Sequence, residues 1–315
     1  MEAFNPNLFP LKRRRNKLKI PQPLELKKFQ KMVDEALRTY FPQSEAYAHQ
    51  VRKAMEYSLL AGGKRLRPIL CLSACKAVGG PMAKALPAAC ALEYIHTYSL
   101  IHDDLPALDN DDYRRGRLSC HKKFGEAIAI LAGDALLTEA FSLLTRKGVM
   151  RKVQAAIRLE VIQEIARAAG IHGMVVGQEV DLQAEKKKVS SACLQYIHEH
   201  KTGALITASL VCGGLLGEGT AGEIRALRKF GEKIGLAFQI KDDLLNVEGQ
   251  TALMGKRTGT DEKKAKATYP GLLGLEPSKA LARRLLVEAE EALRIFGAKA
   301  LPLLQIGGYV LSRDR

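Results

Sequence analysis

The chain of 315 residues is 47% apolar and 6% aromatic, with no Trp, so it can bury a substantial core and is too hydrophobic to be disordered. Forty-nine Lys and Arg against 34 Asp and Glu give a net charge of +15, which suits a protein that handles anionic small molecules and equally an ordinary basic surface. The six cysteines (Cys71, Cys75, Cys90, Cys120, Cys193, Cys212) form no CxxC pair, which argues for buried, reduced thiols in a cytoplasmic protein and against a disulfide framework or a zinc site.

Residues 1–20 hold Lys12, Arg13, Arg14, Arg15, Lys17 and Lys19 against the single acid Glu2. They lack the apolar core of a secretory signal, so residues 1–23 are expected to be a basic, flexible arm ahead of one domain at 24–315. Apolar residues recur every three or four positions in 24–41 and again in 49–62, which predicts helices. Gly62–Gly63 then opens GGKRLRP (62–68), where Lys64 and Arg67, three apart, are expected on one helix face. Glycine and proline punctuate the remainder at 79–81, 116, 148, 170–173, 213–219 and 249, and alternating strand patterns are scarce. The longest uncharged run, Ala204 to Gly217, falls short of the ~20 residues of a spanning helix, so no stable membrane insertion is expected. One all-α domain of ten or more helices, working between facing helices, is the economical reading.

Two strings break the rule that helix faces turned to a core are apolar. In 94–117, Asp103, Asp104, Asp109, Asp111 and Asp112 arrive within ten residues of one another behind an apolar helix. In 234–249, Asp242 and Asp243 are expected to close another apolar helix, with Asn246 one turn later on the face of Asp242. Clustered carboxylates raise one another's pKa unless a cation intervenes, and hard oxygen ligands of this kind suit Mg²⁺ shared with substrate phosphates. Solvated acidic helix caps would account for one such string, less readily for two. Asp103 and Asp109 would sit about 120° apart on an unbroken helix. Pro106 is expected to end or kink it and let Asp109 swing back toward Asp103.

Basic residues accompany the acids: Lys64 and Arg67, then Arg114 and Arg115, Lys201 beside Thr202 in HEHKTG, Lys241, Lys256 and Lys266. Guanidinium forks and ammonium charges converging from several helices can hold a phosphate ester without a glycine-rich cradle. No GxxxxGK[ST] or GxGxxG string is present, so a nucleotide loop is not the mode.

These strings, in this order, resemble the trans-isoprenyl diphosphate synthases of the short-chain bacterial farnesyl/geranylgeranyl type. The match runs from about residue 30 to 315 through GGKRLRP, DDLPALD, RRG, GQEVDL, HKTG, FQIKDDLLN and GKRTGTDEKKAKATYP. The resemblance implies a single-domain isoprenoid synthase-type helical bundle around a deep central cavity, generally a homodimer. It also implies head-to-tail joining of isopentenyl diphosphate to an allylic diphosphate with three Mg²⁺ ions, Mn²⁺ being a possible substitute. By position, Asp103, Asp104 and Asp109 resemble ligands of two metals and Asp242 of the third, with Asp243 a supporting carboxylate. Arg114, Lys201, Gln239 and Lys256, with Lys266 beyond, match positions for the allylic diphosphate. Lys64, Arg67, His96 and Arg115 match those for isopentenyl diphosphate, and Thr202 matches a substrate contact. Where the family's second string usually ends in Asp, this chain has Asn246, which keeps an oxygen but loses a charge and is expected to weaken the third metal.

Product length should depend on what blocks the cavity below the first string. Tyr98 lies about 7.5 Å back along the helix from Asp103 and about 140° round it. In the resembled enzymes an aromatic there, with the two-residue insertion, goes with a fifteen-carbon product, and the small Ser99 would not block growth. The expected activity is therefore farnesyl diphosphate synthesis, with geranyl diphosphate as its first step and geranylgeranyl diphosphate as the alternative product. A non-catalytic subunit of a heteromeric synthase would typically lack acids that are present here. A terpene cyclase would lack Lys64, Arg67 and Arg115. A nucleic-acid binder would explain the charge but not the carboxylates, so no nucleic-acid partner is expected.

Overall fold

The computed structural model describes residues 24–43, 49–185, 187–254 and 267–312. In chain order the elements are α1 (Leu24–Tyr40), α2 (His49–Leu59), α3 (Leu66–Ala77), α4 (Met82–Asp103), β1 (Tyr113–Arg114), β2 (Arg117–Leu118), α5 (Cys120–Phe124), α6 (Glu126–Thr145), α7 (Lys147–Met150), α8 (Ala155–Ala169), α9 (Met174–Ala184), α10 (Ser191–His198), α11 (Ala204–Leu216), α12 (Ala221–Met254), α13 (Tyr269–Leu273), α14 (Leu275–Ala292) and α15 (Leu301–Ser312). A π-helical turn, Glu199–Gly203, leads into α11, and a 3₁₀ stretch, Leu293–Ala300, leads into α15. The expected all-α bundle is what forms; among the described residues the sheet is one small antiparallel hairpin.

The axis of the bundle is α11, the uncharged run of the sequence. A helix apolar on every side must be surrounded, and α3, α4, α8 and α12 cover it until Leu205 to Gly214 are all buried. Small residues bring the backbones together: Gly213 and Gly217 rest on Cys71 and Cys75 of α3, and Gly231 and Gly235 of α12 rest on Thr207 and Gly203. These contacts fix direction. Helices α3 and α11 start at one end of the bundle, whereas α12 runs back toward it, and α4 does the same by pairing its Ala85 and Glu93 with Cys71 and Arg65. Both acidic strings and GGKRLRP are thereby delivered to the same end.

Two local expectations change. Asp242 and Asp243 do not close their helix: α12 continues through Gly249 to Met254, since one interior glycine costs only about 1 kcal/mol. Lys64 and Arg67 do not share a helical turn, because α3 begins at Leu66, after Arg65 in the left-handed conformation (φ 49°). By length and composition α6, with mean hydropathy 1.7, and Leu275–Ser312 could cross a membrane. In this fold α6 lies along α4 and buries Ala129, Ala132, Gly133, Leu136 and Ala140, while Ile130 and Leu131 stay exposed. The six cysteines are free thiols, five of them buried.

Candidate active site

The first acidic string follows the end of α4. Asp103 is its last residue, and the chain then turns so tightly that the Asp109 N–H donates to the Asp103 carbonyl at 2.8 Å. The turn around Pro106 thus brings Asp109 back as expected. Burial pushes the Asp103 carboxyl up to about 6; Lys201 and Arg114 oppose the shift, and the charges of Asp109 and Asp104 add to it. Asp104 behaves differently. It is 2% exposed, and its carboxylate accepts from Arg114 Nε at 2.9 Å and from Nη2 as well. Asp104, expected as a metal ligand, is therefore occupied in holding Arg114. Asp111 also accepts from Arg114, at 3.3 Å, and Asp112 pairs with Lys122 at 2.8 Å, so these two acids brace the hairpin.

The β1–β2 hairpin carries both arginines of RRG. Its two-residue turn, Arg115–Gly116, has positive φ at both positions (54° and 75°), which glycine accepts and arginine adopts only under strain. The reversal sends Arg114 to Asp104 and Arg115 back to GGKRLRP, where its guanidinium donates to the Gly62 carbonyl. That guanidinium packs so closely on the backbone that a Cβ on Gly63 would sit 2.7 Å from Arg115 Cζ.

A basic pocket results. Burial lowers the Arg67 guanidinium to about 10; Glu93 works against the shift, and Arg115 adds to it. Arg67 Nε is buried without a hydrogen-bond partner. Arg115 is lowered too, by burial and by Arg65 and Arg114, with Glu93 again opposing. His96 is held well below its ordinary 6.5, first by burial and then by Arg67, Arg115, Arg65 and Arg114, which keeps its ring neutral. Lys64 lies 5.8 Å from the centre of the Tyr309 ring. Arg67, Arg115 and His96 thus share one buried basic pocket, and Glu93 is the acid that acts on both arginines.

The second string is reached through the π turn. Lys201 sits in that turn and donates to Asp181 of α9 at 2.7 Å, while its charge acts on Asp103 of α4. Only glycine fits at 177, because a Cβ there would collide with the Lys201 backbone. Three residues before Lys201, His198 meets Asp243 Oδ2 through Nε2 at 3.2 Å. The Tyr269 N–H donates to the same oxygen at 3.0 Å, and the His198 and Tyr269 rings stack. Gln239 Nε2 donates to Asp242 Oδ2 at 3.4 Å along α12. Both acidic strings therefore engage one short stretch, Asp103 at Lys201 and Asp243 at His198. Thr202 is half-buried in the same turn and Asn246 is exposed. Lys256 and Lys266, like the arm at 1–23, lie outside the described residues.

Tyr98 is 8% exposed and sets its ring edge-on to His102 at 5.5 Å. Burial raises its hydroxyl pKa and the charge of Asp103 adds to that, so the side chain lies within electrical reach of the acids despite its helical phase. Ser99 donates to the His96 carbonyl at 2.9 Å. Sequence reasoning missed Asp181, His198, Glu93, Arg65 and Tyr269. The HxxK spacing of His198 and Lys201 and the Asp inside GQEVDL were the available signals.

The chain matches the polyprenyl synthetase family model over residues 48–294 and belongs to that family. It is 47% identical over 282 residues to a farnesyl diphosphate synthase of Geobacillus stearothermophilus, covering 90% of this chain and 94% of that one. It is 48% identical over 286 residues to a chloroplastic geranylgeranyl pyrophosphate synthase of Arabidopsis thaliana, covering 89% and 78%. Among solved structures, an FPP/GFPP synthase from Zymomonas mobilis superposes with a TM-score of 0.82 at 36% identity, covering 91% and 98%. The protein is a short-chain prenyltransferase acting on isoprenyl diphosphates.

Proposed function

We propose that the chain joins isopentenyl diphosphate head-to-tail to dimethylallyl or geranyl diphosphate and makes mainly farnesyl diphosphate. The observation that supports this most is the pairing of a carboxylate wall with a separate basic pocket in which Arg67 Nε is buried without a hydrogen-bond partner, because the reaction needs one diphosphate ionised and a second held intact.

Asp103, Asp109 and Asp242 have the hard oxygens that Mg²⁺ requires, and we assign three ions to them. Mg²⁺ bound there would take up charge as the allylic diphosphate leaves. Asp104 is assigned to anchor Arg114, and Asp243 to hold the His198 and Tyr269 end of the wall. Arg114, Lys201 and Gln239 are assigned to the allylic diphosphate, a role we also give to Lys256 and Lys266 from their place in the sequence, and Lys201 would leave Asp181 to do so. Lys64, Arg67, Arg115 and neutral His96 hold isopentenyl diphosphate, and Thr202 contacts substrate. The allylic C–O bond breaks with its electron pair going to the diphosphate, which the guanidinium and ammonium groups stabilise. The isopentenyl double bond supplies the pair for the new C–C bond, and a proton is lost to the departing diphosphate.

Tyr98 is the proposed floor for a fifteen-carbon product. The alternative, a twenty-carbon product, is favoured by the similarity to a geranylgeranyl pyrophosphate synthase and by small Ser99. Exposed Ile130 and Leu131 on α6 support a homodimer built on that helix, and six free thiols support a reducing, cytoplasmic setting. The test is incubation of purified protein and Mg²⁺ with labelled isopentenyl diphosphate and dimethylallyl, geranyl or farnesyl diphosphate. Fifteen-carbon product supports the reading, twenty-carbon product replaces it with the alternative, and no product from any primer refutes it.

A further inference from the structure

Arg65 stands between Lys64 and Arg67 in GGKRLRP. It is 3% exposed, and its guanidinium ties together three helices: Nε donates to Asp34 Oδ1 of α1 at 2.9 Å, Nη2 to the Leu59 carbonyl at the end of α2 at 2.9 Å, and Nη1 to Glu93 Oε1 of α4 at 2.7 Å. Its backbone adopts φ 49° and ψ 37°, a left-handed conformation that a side-chain-bearing residue keeps only when its surroundings hold it there. The Arg65 carbonyl accepts from Ile69 N at 3.0 Å, so the same residue starts α3. Upstream, Gln30 Nε2 donates to the Gly63 carbonyl at 2.9 Å, and Arg115 donates to that of Gly62. Glu93 is 1% exposed and also attracts Arg67 and Arg115, which makes it the buried counter-charge beneath the pocket.

We propose that Arg65 is a positioning residue for the isopentenyl diphosphate pocket. Its buried clamp on Asp34, Leu59 and Glu93 fixes the left-handed turn that sets Lys64 and Arg67 on the two sides of it. This rests on the reading of the basic pocket as the isopentenyl diphosphate site. Its bonds run to α1, α2 and α4 and its charge acts on Arg115 and His96 of the basic pocket, so it acts on isopentenyl diphosphate ahead of the allylic substrate. It does so without touching either. Displacing a charged contact by a fraction of an ångström is enough to weaken it by an order of magnitude.

Two measurements test this on the full chain. Without Mg²⁺, calorimetric titration with isopentenyl diphosphate reads the basic pocket alone; with Mg²⁺, steady-state assays give both KM values. Arg65→Lys, which keeps a charge but loses the fork, is expected to weaken isopentenyl diphosphate about tenfold in both, with the allylic KM within twofold of wild type. Asp34→Asn removes only the half-exposed end of the clamp, and a rise of about threefold in the same KM alone is expected even if Arg65→Lys does not fold. Equal loss for both substrates, a fall in kcat alone, or no change in either variant overturns the proposal while leaving the prenyltransferase reading intact. Failure of the wild type to bind isopentenyl diphosphate overturns both.

Discussion

The two halves of the site are unbalanced in opposite senses. At the end of α4, burial and neighbouring acids lift Asp103 to about 6. In the pocket behind the hairpin, burial and neighbouring cations lower Arg67 to about 10 and keep His96 neutral. The acids of one half and the cations of the other are joined by adjacent residues, Arg114 serving the acids and Arg115 the bases. Each half holds like charges at a cost to the folded state, as sites shaped for a charged ligand do.

The largest effect expected comes from the acidic half. Asp103→Asn should lower kcat/KM by roughly 10³-fold, and at pH 7.5 it should raise the Tm of the metal-free protein by a few degrees. The sign follows from the shift. A carboxyl raised from 3.8 to about 6 in the folded state imposes no penalty below about pH 4 and its full penalty above pH 6. The gain in Tm should therefore vanish at pH 4, and thermal denaturation at both pH values checks it. A Tm lowered at pH 7.5 would show that the carboxylate is compensated.

The basic half should respond to different substitutions. Arg67→Ala is expected to raise KM for isopentenyl diphosphate roughly 10–100-fold and spare the allylic diphosphate, and Lys201→Ala should do the reverse. Steady-state kinetics with each substrate varied in turn distinguishes the two; an equal rise for both substrates would mean the halves are one site. A smaller effect is expected on product length, where Tyr98→Ala should shift the main product from fifteen to twenty carbons by chromatography. An unchanged spectrum removes Tyr98 as the floor. Smallest is the effect of Gly177→Ala, which pushes on the Lys201 backbone and should reduce kcat/KM about tenfold with little change in KM for isopentenyl diphosphate.

Much of this was legible in the sequence because it is local. The acids stand out within apolar helices, and proline at 106 foretold the turn that returns Asp109 to Asp103. The uncharged run at 204–217 proved to be the central helix instead of a surface or membrane element. What stayed hidden depends on partners far along the chain. Asp104 was indistinguishable from Asp103 until the hairpin placed Arg114 on it. The helix running past Asp243 could not be told from one ending there, because glycine at 249 is permissive in either case. His198 meets Asp243 across 45 residues, and Arg65 meets Glu93 across 28. No spacing in the sequence announces such pairs.

The account stands on Asp103 and Asp242 holding metal around a single diphosphate. A crystal structure with Mn²⁺ and an unreactive thio-analogue of dimethylallyl diphosphate measures this most directly through the anomalous signal. The account predicts manganese peaks bridging the analogue to Asp103 and Asp109 on one side and to Asp242 on the other. Manganese bound at one string alone, or an analogue lodged against only one of them, would contradict it.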